Sequence, residues 1–156
     1  MTTPGVKTVP DGAHSVNLYL CAKGAARAID FYATAFGAVE TMARITDGSG
    51  RVGHAEIRIG DTTIMLSDEH PEIGVLSPET IGGCPLSLTV YLPDVAAVVK
   101  RAVAAGAELI RPVEDKFYGD RSGQIRDPFG FRWTISTHVE DVSEEEMQRR
   151  AKALST

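Results

Sequence analysis

The feature that most constrains this chain is a series of hydrophobic patterns that occurs twice between about Ser15 and Val139. The first copy begins with VNLYLC at 16–21, where apolar and polar residues alternate as in a half-buried strand. The segment AARAIDFYATAF at 25–36 then has the spacing of a short amphipathic helix, and Gly37 is a typical helix stop. Three strand-like segments follow, VETMARIT, HAEIRIG and TIMLSD. The order of the first copy is therefore βαβββ.

The second copy of this order follows a segment at 69–85 that is rich in proline, glycine and acidic residues. PLSLTVYL predicts a strand, VAAVVKRAVAAGA predicts a helix, and AELIRPVEDKF, SGQIRD and RWTISTH predict three more strands. Short matches support the repeat: LYL at 18–20 corresponds to VYL at 90–92, and IMLS at 64–67 to WTIS at 133–136. In each unit the helix covers one face of the sheet, and the other face must either be covered or line a cavity. Pairing two units provides for both.

These patterns predict an α+β fold in which two tandem βαβββ modules form a cupped mixed sheet. We expect a flexible arm at 1–13, a single domain at 14–139 and a C-terminal helix at 140–156. The helix is indicated by Ser143 and Glu146, which have the spacing of a capping box. The domain is expected to divide into module 1 at 14–68, the linker at 69–85 and module 2 at 86–139.

Composition limits the classes of partner. With 43% hydrophobic and 24% charged residues, the 156-residue chain is typical of a globular protein with a real core. A net charge of -5 argues against nucleic acid or an anionic membrane surface as the partner. The chain contains no apolar run that could span a bilayer and no signal-peptide pattern, so we expect a cytoplasmic protein. Cys21 and Cys84 lack metal-site spacing and are expected to be buried free thiols.

Three segments resemble the glyoxalase, bleomycin-resistance and extradiol dioxygenase superfamily: AIDFYATAFGA, HAEIRIGDTTIMLSDE and FYGDRSGQIRDPFGFRWTISTHVEDV. The last segment is similar to the PhnB-like branch, whose members read much like FYGDRSG followed by RDPFG and a THVEDV tail. Phe131 departs from that branch, where a histidine is common after DPFG. The resemblance implies a cupped cavity lined by both units, which usually becomes complete when two copies form a homodimer.

The resemblance also implies where a metal ion would bind, because metal-dependent members take ligands from the first and last strand of each unit. Those positions hold Ser15, Met65, Ser87 and Thr134 in this sequence. Divalent ions prefer imidazole and carboxylate ligands, and three hydroxyls with a thioether are a poor set. We therefore expect no metal cofactor. The register at Ser15 stays open, since a slip of one residue would place His14 in the cavity instead.

His54 and Glu56 are the candidate catalytic residues. They lie two apart in HAEIRIG, so both should face the same side of a strand, opposite Ala55. Such a pair could move a proton, with Glu56 setting the tautomer of His54. The alternative is a solvated strand face that carries His54, Glu56 and Arg58 as ordinary surface residues. His70 and His138 are also expected at the surface.

Strand alternation supplies most of the candidate ligand-binding residues. Asn17 and Tyr19 should share a face with Ser15, and Thr89 and Tyr91 with Ser87. Their rings and polar groups suit a planar or amide-rich ligand. Trp133 neighbours Thr134 along the strand and should point the other way, into the core.

A turn in FYGDRSG supplies the last two candidates, because Gly119 permits a tight bend there. The turn would present Tyr118 and Arg121 at the mouth of the second unit. Arg121 could bind a carboxylate or a phosphonate; alternatively, an ion pair with Asp120 or Asp127 would lock the loop.

These features favour a small-molecule-binding protein that works without a metal and sequesters a drug or metabolite, as antibiotic-resistance proteins do. The alternative is a metal-dependent lyase or isomerase of glyoxalase type. A third hypothesis is metal-free proton transfer by His54 and Glu56. The sequence does not decide whether the protein is an enzyme.

Overall fold

The structure is a computed structural model that describes residues 5–154. The first four residues of the expected arm and the last two of the expected C-terminal helix lie outside the described residues. The first half of the chain contains β1 Leu18–Cys21, α1 Ala25–Phe36, β2 Val39–Glu40, β3 Ile45–Thr46, β4 Val52–Ile59 and β5 Thr62–Ser67. A 3-10 turn at Pro71–Ile73 and the short helix α2 Pro78–Ile81 follow. The second half contains β6 Ser87–Tyr91, α3 Val95–Ala104, β7 Glu108–Asp115, β8 Asp120–Arg126, β9 Arg132–His138 and α4 Glu144–Ala153.

The strands form two mixed sheets, one for each half of the chain. The first has the order β1-β5-β4-β2, with β3 also paired to β4, and the second has the order β6-β9-β8-β7. In each sheet the first strand runs parallel to the last one, and the other pairs are antiparallel. This arrangement confirms the prediction of two tandem βαβββ modules.

The core lies between the sheets and their helices, since α1 packs against α3, α1 contacts β4 of its own module, and α3 contacts β7, β8 and β9 of its own. Tyr32 and Phe36 of α1 place their rings 5.4 Å and 4.7 Å from that of Trp133. Trp133 is only 2% exposed, as expected from strand alternation. The aromatic rings of one module thus pack on the sheet of the other, which joins the halves into one body.

A buried carboxylate joins the two modules at the turn Asp127–Gly130. Oδ2 of Asp127 accepts hydrogen bonds from the Tyr32 hydroxyl at 2.7 Å and from Nε1 of Trp133 at 2.9 Å. Oδ1 accepts from the backbone N–H groups of Phe129 and Phe131, both at 2.9 Å. Burial raises the pKa of Asp127 in spite of these four donors.

Two predicted strands are shorter than their patterns. VETMARIT forms only the short strands β2 and β3, and the register against β4 shifts within β3. The first strand begins at Leu18, and Val16 is 88% exposed. The reason is local: the Asn17 side chain accepts from the backbone N–H of His14 and donates to its carbonyl, which holds a turn just before the strand.

The C-terminal helix α4 confirms its sequence pattern. The Ser143 hydroxyl accepts from the backbone N–H of Glu146, as a helix N-cap does. Arg150 binds both carboxylate oxygens of Glu140 at 2.8 and 2.9 Å, and it donates to the carbonyl of Phe117. The helix is therefore tied to the turn before β8. None of the described helices has the length and apolar character that crossing a membrane requires.

Candidate functional site

The candidate site lies on the sheet faces that point away from the helices. On β4, Ala55 and Ile57 are buried against the helix layer, whereas His54 and Glu56 point to the other face. The pairing of the strands places Tyr19 beside Met65, and Met65 beside Glu56. Three neighbouring strands therefore bring predicted site residues together on one outer face.

Tyr19, His54 and Glu56 form a hydrogen-bonded chain on this face. The Tyr19 hydroxyl lies 2.9 Å from Nδ1 of His54, and Nε2 of His54 lies 3.3 Å from Oε1 of Glu56. A carboxylate can only accept, so Nε2 carries the proton and Nδ1 accepts from Tyr19. The Thr41 hydroxyl donates to the other oxygen of Glu56 at 3.4 Å. This arrangement allows a proton to pass from the tyrosine to the imidazole.

A cleft of about 770 Å³ opens beside this chain. Asn17, Glu56 and Met65 line it, with Arg58 and Asp61 at its polar side. Residues 10–13 form part of its wall, so this part of the arm contributes to a cleft that the sequence did not assign to it.

The second module has a comparable cleft of about 480 Å³ on its own outer face. Its lining includes the predicted residues Thr89, Tyr91, Tyr118 and Thr134. Nε2 of Gln124 donates to the Thr134 hydroxyl at 3.1 Å, which fixes both side chains in the wall. Ser87 lies elsewhere, in a groove of about 460 Å³ between the edge strands β1 and β6.

Backbone hydrogen bonds define which positions of the two modules correspond. Ala22 donates to the carbonyl of Ser67, and Leu92 donates to that of Ser136, both at 2.9 Å. The match between LYL and VYL is therefore wrong by two residues, and the counterpart of Tyr19 is Thr89. By the same pairing, His54 and Glu56 correspond to Ser122 and Gln124. The first module thus holds titratable groups where the second holds neutral polar ones.

The same correspondence corrects one predicted ligand position. The counterpart of Ser87 is Asn17, and Ser15 precedes the first strand and lines neither cleft. The positions that the family uses for metal are thus an amide, a thioether and two hydroxyls, supplied by Asn17, Met65, Ser87 and Thr134. Within residues 5–154 no group of three or more His, Cys, Asp or Glu side chains could hold an ion. This donor set does not fit a divalent metal.

Arg121 also differs from its prediction. It makes a bidentate pair with Asp115 at 2.6 and 3.1 Å, and not with Asp120 or Asp127. The predicted turn is present at 117–119, but β8 begins at Asp120. Strand alternation therefore places Asp120 on the cleft face and Arg121 on the opposite face, where it pairs with Asp115 of β7. Arg121 therefore lies outside both clefts.

Asp120 and His138 form a second network that the sequence did not indicate. Asp120 is only 3% exposed and accepts from the Tyr91 hydroxyl at 2.7 Å and from Nδ1 of His138 at 2.9 Å. Nε2 of His138 also lies 3.0 Å from Asp141. These hydrogen bonds raise the pKa of Tyr91 and of His138. Extending the SGQIRD pattern by two residues would have placed Asp120 on the cleft face.

The free cysteines were predicted to be buried, and both are only partly so. Burial and the nearby Glu69 and Asp68 raise the pKa of Cys21 to about 11. The Cys21 thiol is therefore a poor nucleophile at neutral pH.

Paired βαβββ modules with open outer faces define a class of proteins, and comparison with known proteins identifies the family. Residues 13–135 match the model of the Glyoxalase/Bleomycin resistance protein/Dioxygenase superfamily, so the chain belongs to this family.

The chain is 38% identical over 133 residues to an uncharacterized protein of Mycobacterium tuberculosis, covering 83% of this chain and 78% of that protein. TioX from Micromonospora sp. ML1 superimposes with a TM-score of 0.61 at 25% identity, over 81% of this chain and 100% of TioX. A PhnB protein from Bacillus cereus, a putative 3-demethylubiquinone-9 3-methyltransferase, superimposes with a TM-score of 0.57. Its 18% identity, over 80% of this chain and 99% of that one, shows a shared fold.

Proposed function

We propose that the protein binds a small molecule on the outer faces of its sheets without a metal ion, and that it sequesters a drug or metabolite. The observation that supports this most is the pair of clefts, of about 770 and 480 Å³. Both lie in the range of roughly 300–1,000 Å³ that small-molecule sites occupy. Each is lined by many polar side chains, several of them on strands, which can orient a ligand by hydrogen bonds.

The lining favours a planar or amide-rich ligand. Tyr91 presents its ring to the second cleft, and its hydroxyl is already bound to Asp120, so the ring face is the part left for a ligand. The amide of Gln124 and the hydroxyl of Thr89 offer hydrogen bonds on the same face. Tyr19 supplies a second ring on the outer face of the first module, where it neighbours the cleft residue Met65.

A homodimer in the cytoplasm is part of this proposal. The strands β1 and β6 are sheet edges, and the groove between them is lined by Leu18, Leu86 and Tyr91. Leu86 and Tyr91 are large and exposed, so covering them with a second copy would remove apolar surface from water. A second copy would also close clefts that are open in one chain.

The metal-dependent lyase or isomerase remains the competing function, and the donor set argues against it. Metal analysis of protein purified without chelator tests the point directly. We expect less than about 0.1 ion per chain, whereas about one ion per site would contradict the proposal.

Isothermal titration calorimetry tests the binding function. We expect one of a panel of aromatic and peptide antibiotics, with bleomycin as the first, to bind at a Kd of about 1 µM or tighter, roughly 8 kcal/mol. Gln124→Ala should weaken this binding, whereas Arg149→Ala on the surface of α4 is the matched control and should not. Binding that chelator abolishes, or a full panel with no ligand near micromolar, would contradict the proposal.

A further inference from the structure

The chain of Tyr19, His54 and Glu56 has a property that binding alone does not use. Tyr19 is 46% exposed, and its ring lies on the outer face of the first sheet beside that of His54. The same hydroxyl lies 2.9 Å from Nδ1 of His54 and 3.5 Å from the carbonyl of Gly53, which makes the imidazole its main acceptor. The hydroxyl is thus bonded to a base on this face, and Glu56 at the other end of the chain lines the cleft of about 770 Å³.

The charges that arise during proton transfer support this chain. When the Tyr19 proton moves to His54, a phenolate forms beside an imidazolium, and Glu56 faces the other nitrogen of that cation. Opposite charges at hydrogen-bond distance attract, so each group stabilises the charge on its neighbour. A neutral side chain at position 56 would remove one of these attractions.

Tyr91 shows the opposite arrangement in the same protein. Its hydroxyl donates to the buried carboxylate of Asp120, so ionisation would place two negative charges 2.7 Å apart. The hydrogen bond to Asp120 accordingly raises the pKa of Tyr91. Tyr91 is nevertheless more exposed than Tyr19, at 59% against 46%. Comparing the reaction rates of the two tyrosines therefore distinguishes activation by a neighbouring base from the effect of solvent exposure.

We propose that Tyr19, His54 and Glu56 form a metal-free proton-transfer centre for a carbonyl compound with an acidic hydrogen next to the carbonyl. The Tyr19 oxygen takes that hydrogen as a proton, while its own proton passes to Nδ1 of His54. The C–H bond of the ligand breaks, its electron pair moves to the carbonyl oxygen as an enolate, and Glu56 stabilises the imidazolium. Return of a proton from His54 through Tyr19 restores the resting state. This activity goes beyond ligand capture, and it rests on the proposed function because the compound must bind on the outer face of the first module.

Reaction with p-nitrophenyl acetate tests the activation of Tyr19 without knowledge of the natural ligand. The Tyr19 oxygen attacks the acetyl carbon, p-nitrophenolate leaves, and the tyrosine proton passes to His54, so the product is acetylated Tyr19. Peptide mass spectrometry measures the rate at each tyrosine of the same sample. We expect Tyr19 to react at least about tenfold faster than Tyr91, since an adjacent general base typically contributes more than this.

Variants distinguish a proton acceptor from a structural hydrogen bond. His54→Gln keeps a side-chain acceptor for the Tyr19 hydroxyl but removes the base, and it should reduce the Tyr19 rate to within about twofold of the Tyr91 rate. Glu56→Gln installs the residue that the second module has at this position, and it should lower the rate several-fold. Equal rates at Tyr19 and Tyr91 in the native protein would overturn the proposal. So would a Tyr19 rate that either variant leaves unchanged.

Discussion

Replacing Asp127 with asparagine tests how the two modules are held together. The substitution keeps the size of the side chain and changes only the charge and one oxygen. In the native protein four donors converge on the two carboxylate oxygens, and two of them come from Tyr32 and Trp133. An amide has one oxygen, so at most one half of this arrangement is preserved.

The structure sets the size of the effect. If the amide oxygen keeps the backbone N–H groups of Phe129 and Phe131, the NH₂ group faces the Tyr32 hydroxyl and the indole of Trp133. The hydroxyl can rotate and accept, but Trp133 Nε1 is only a donor and loses its partner. One buried unsatisfied donor costs about 1–3 kcal/mol, and the loss of the charge-assisted bonds adds to it. We expect Asp127→Asn to lower the free energy of unfolding by about 2–4 kcal/mol.

Urea unfolding followed by tryptophan fluorescence measures this change, because Trp133 is the single tryptophan and contacts the substituted side chain. Asp30→Asn is the matched control, because Asp30 is exposed and its ion pair with Arg44 is long, at 3.8 Å. This substitution should change the free energy of unfolding by less than about 0.5 kcal/mol. A loss below about 1 kcal/mol for Asp127→Asn would refute the reasoning, because no buried donor would then have lost its acceptor.

The pH dependence of this stability has a definite sign. Burial holds the pKa of Asp127 above its ordinary 3.8, so the folded protein binds this proton more tightly than the unfolded chain does. Its contribution to stability is therefore fully present below pH 3.8 and declines as the pH rises through the folded value. Asp127→Asn should lack this decline.

Two further predictions concern residues that contact the segment between β9 and α4, namely Gly119 and His138. Gly119→Ala should lower the free energy of unfolding by about 1–3 kcal/mol in urea titrations, because φ is +97° and a Cβ would meet the carbonyl oxygen of Glu140. Gly48→Ala, where a Cβ meets no neighbour, is the control, and equal losses would contradict the steric argument. For His138, hydrogen bonds to Asp120 and Asp141 raise the pKa above 6.5, so its contribution to stability is present below pH 6.5 and is lost as the pH rises through the folded value. Thermal midpoints between pH 6 and 9 should fall more in the native protein than in His138→Gln; parallel profiles would show that the pair adds no stability.

The two modules could be predicted from sequence because their signals are local. The change from a period of 2 to a period of 3.6 and back is visible within a few residues, and it recurs in the second half. The correspondence between the halves could not, because short matches of alanine, leucine and glycine leave the register free. The error was two residues, which keeps a side chain on its face. Tyr91 therefore still lines a cleft, although Thr89 is the counterpart of Tyr19.

The contacts that were missed depend on strand pairing, on strand ends or on distant parts of the chain. The turn at Asp127–Gly130 could be recognised, but its hydrogen bond from Tyr32 spans 95 residues and leaves no local pattern. Arg121 was placed in a loop because Gly119 suggested one, and strand pairing with β7 decided its partner instead. The role of Asn17 depends on where β1 begins, and a turn closed by hydrogen bonds between His14 and Asn17 determines that. The sequence thus predicted which sheet face most site residues occupy. Their hydrogen-bond and ion-pair partners became visible only in the folded structure.

The correspondence between the modules has a consequence for how the two faces respond to substitution. Each hydrogen-bonded ladder belongs to one half alone, so a substitution at His54 or Glu56 leaves the strands of the other half untouched. Ser122 and Gln124 hold the same places in a form that cannot titrate. The reactivity of one face can therefore be altered by substitution while the strand pairing of the other face stays the same.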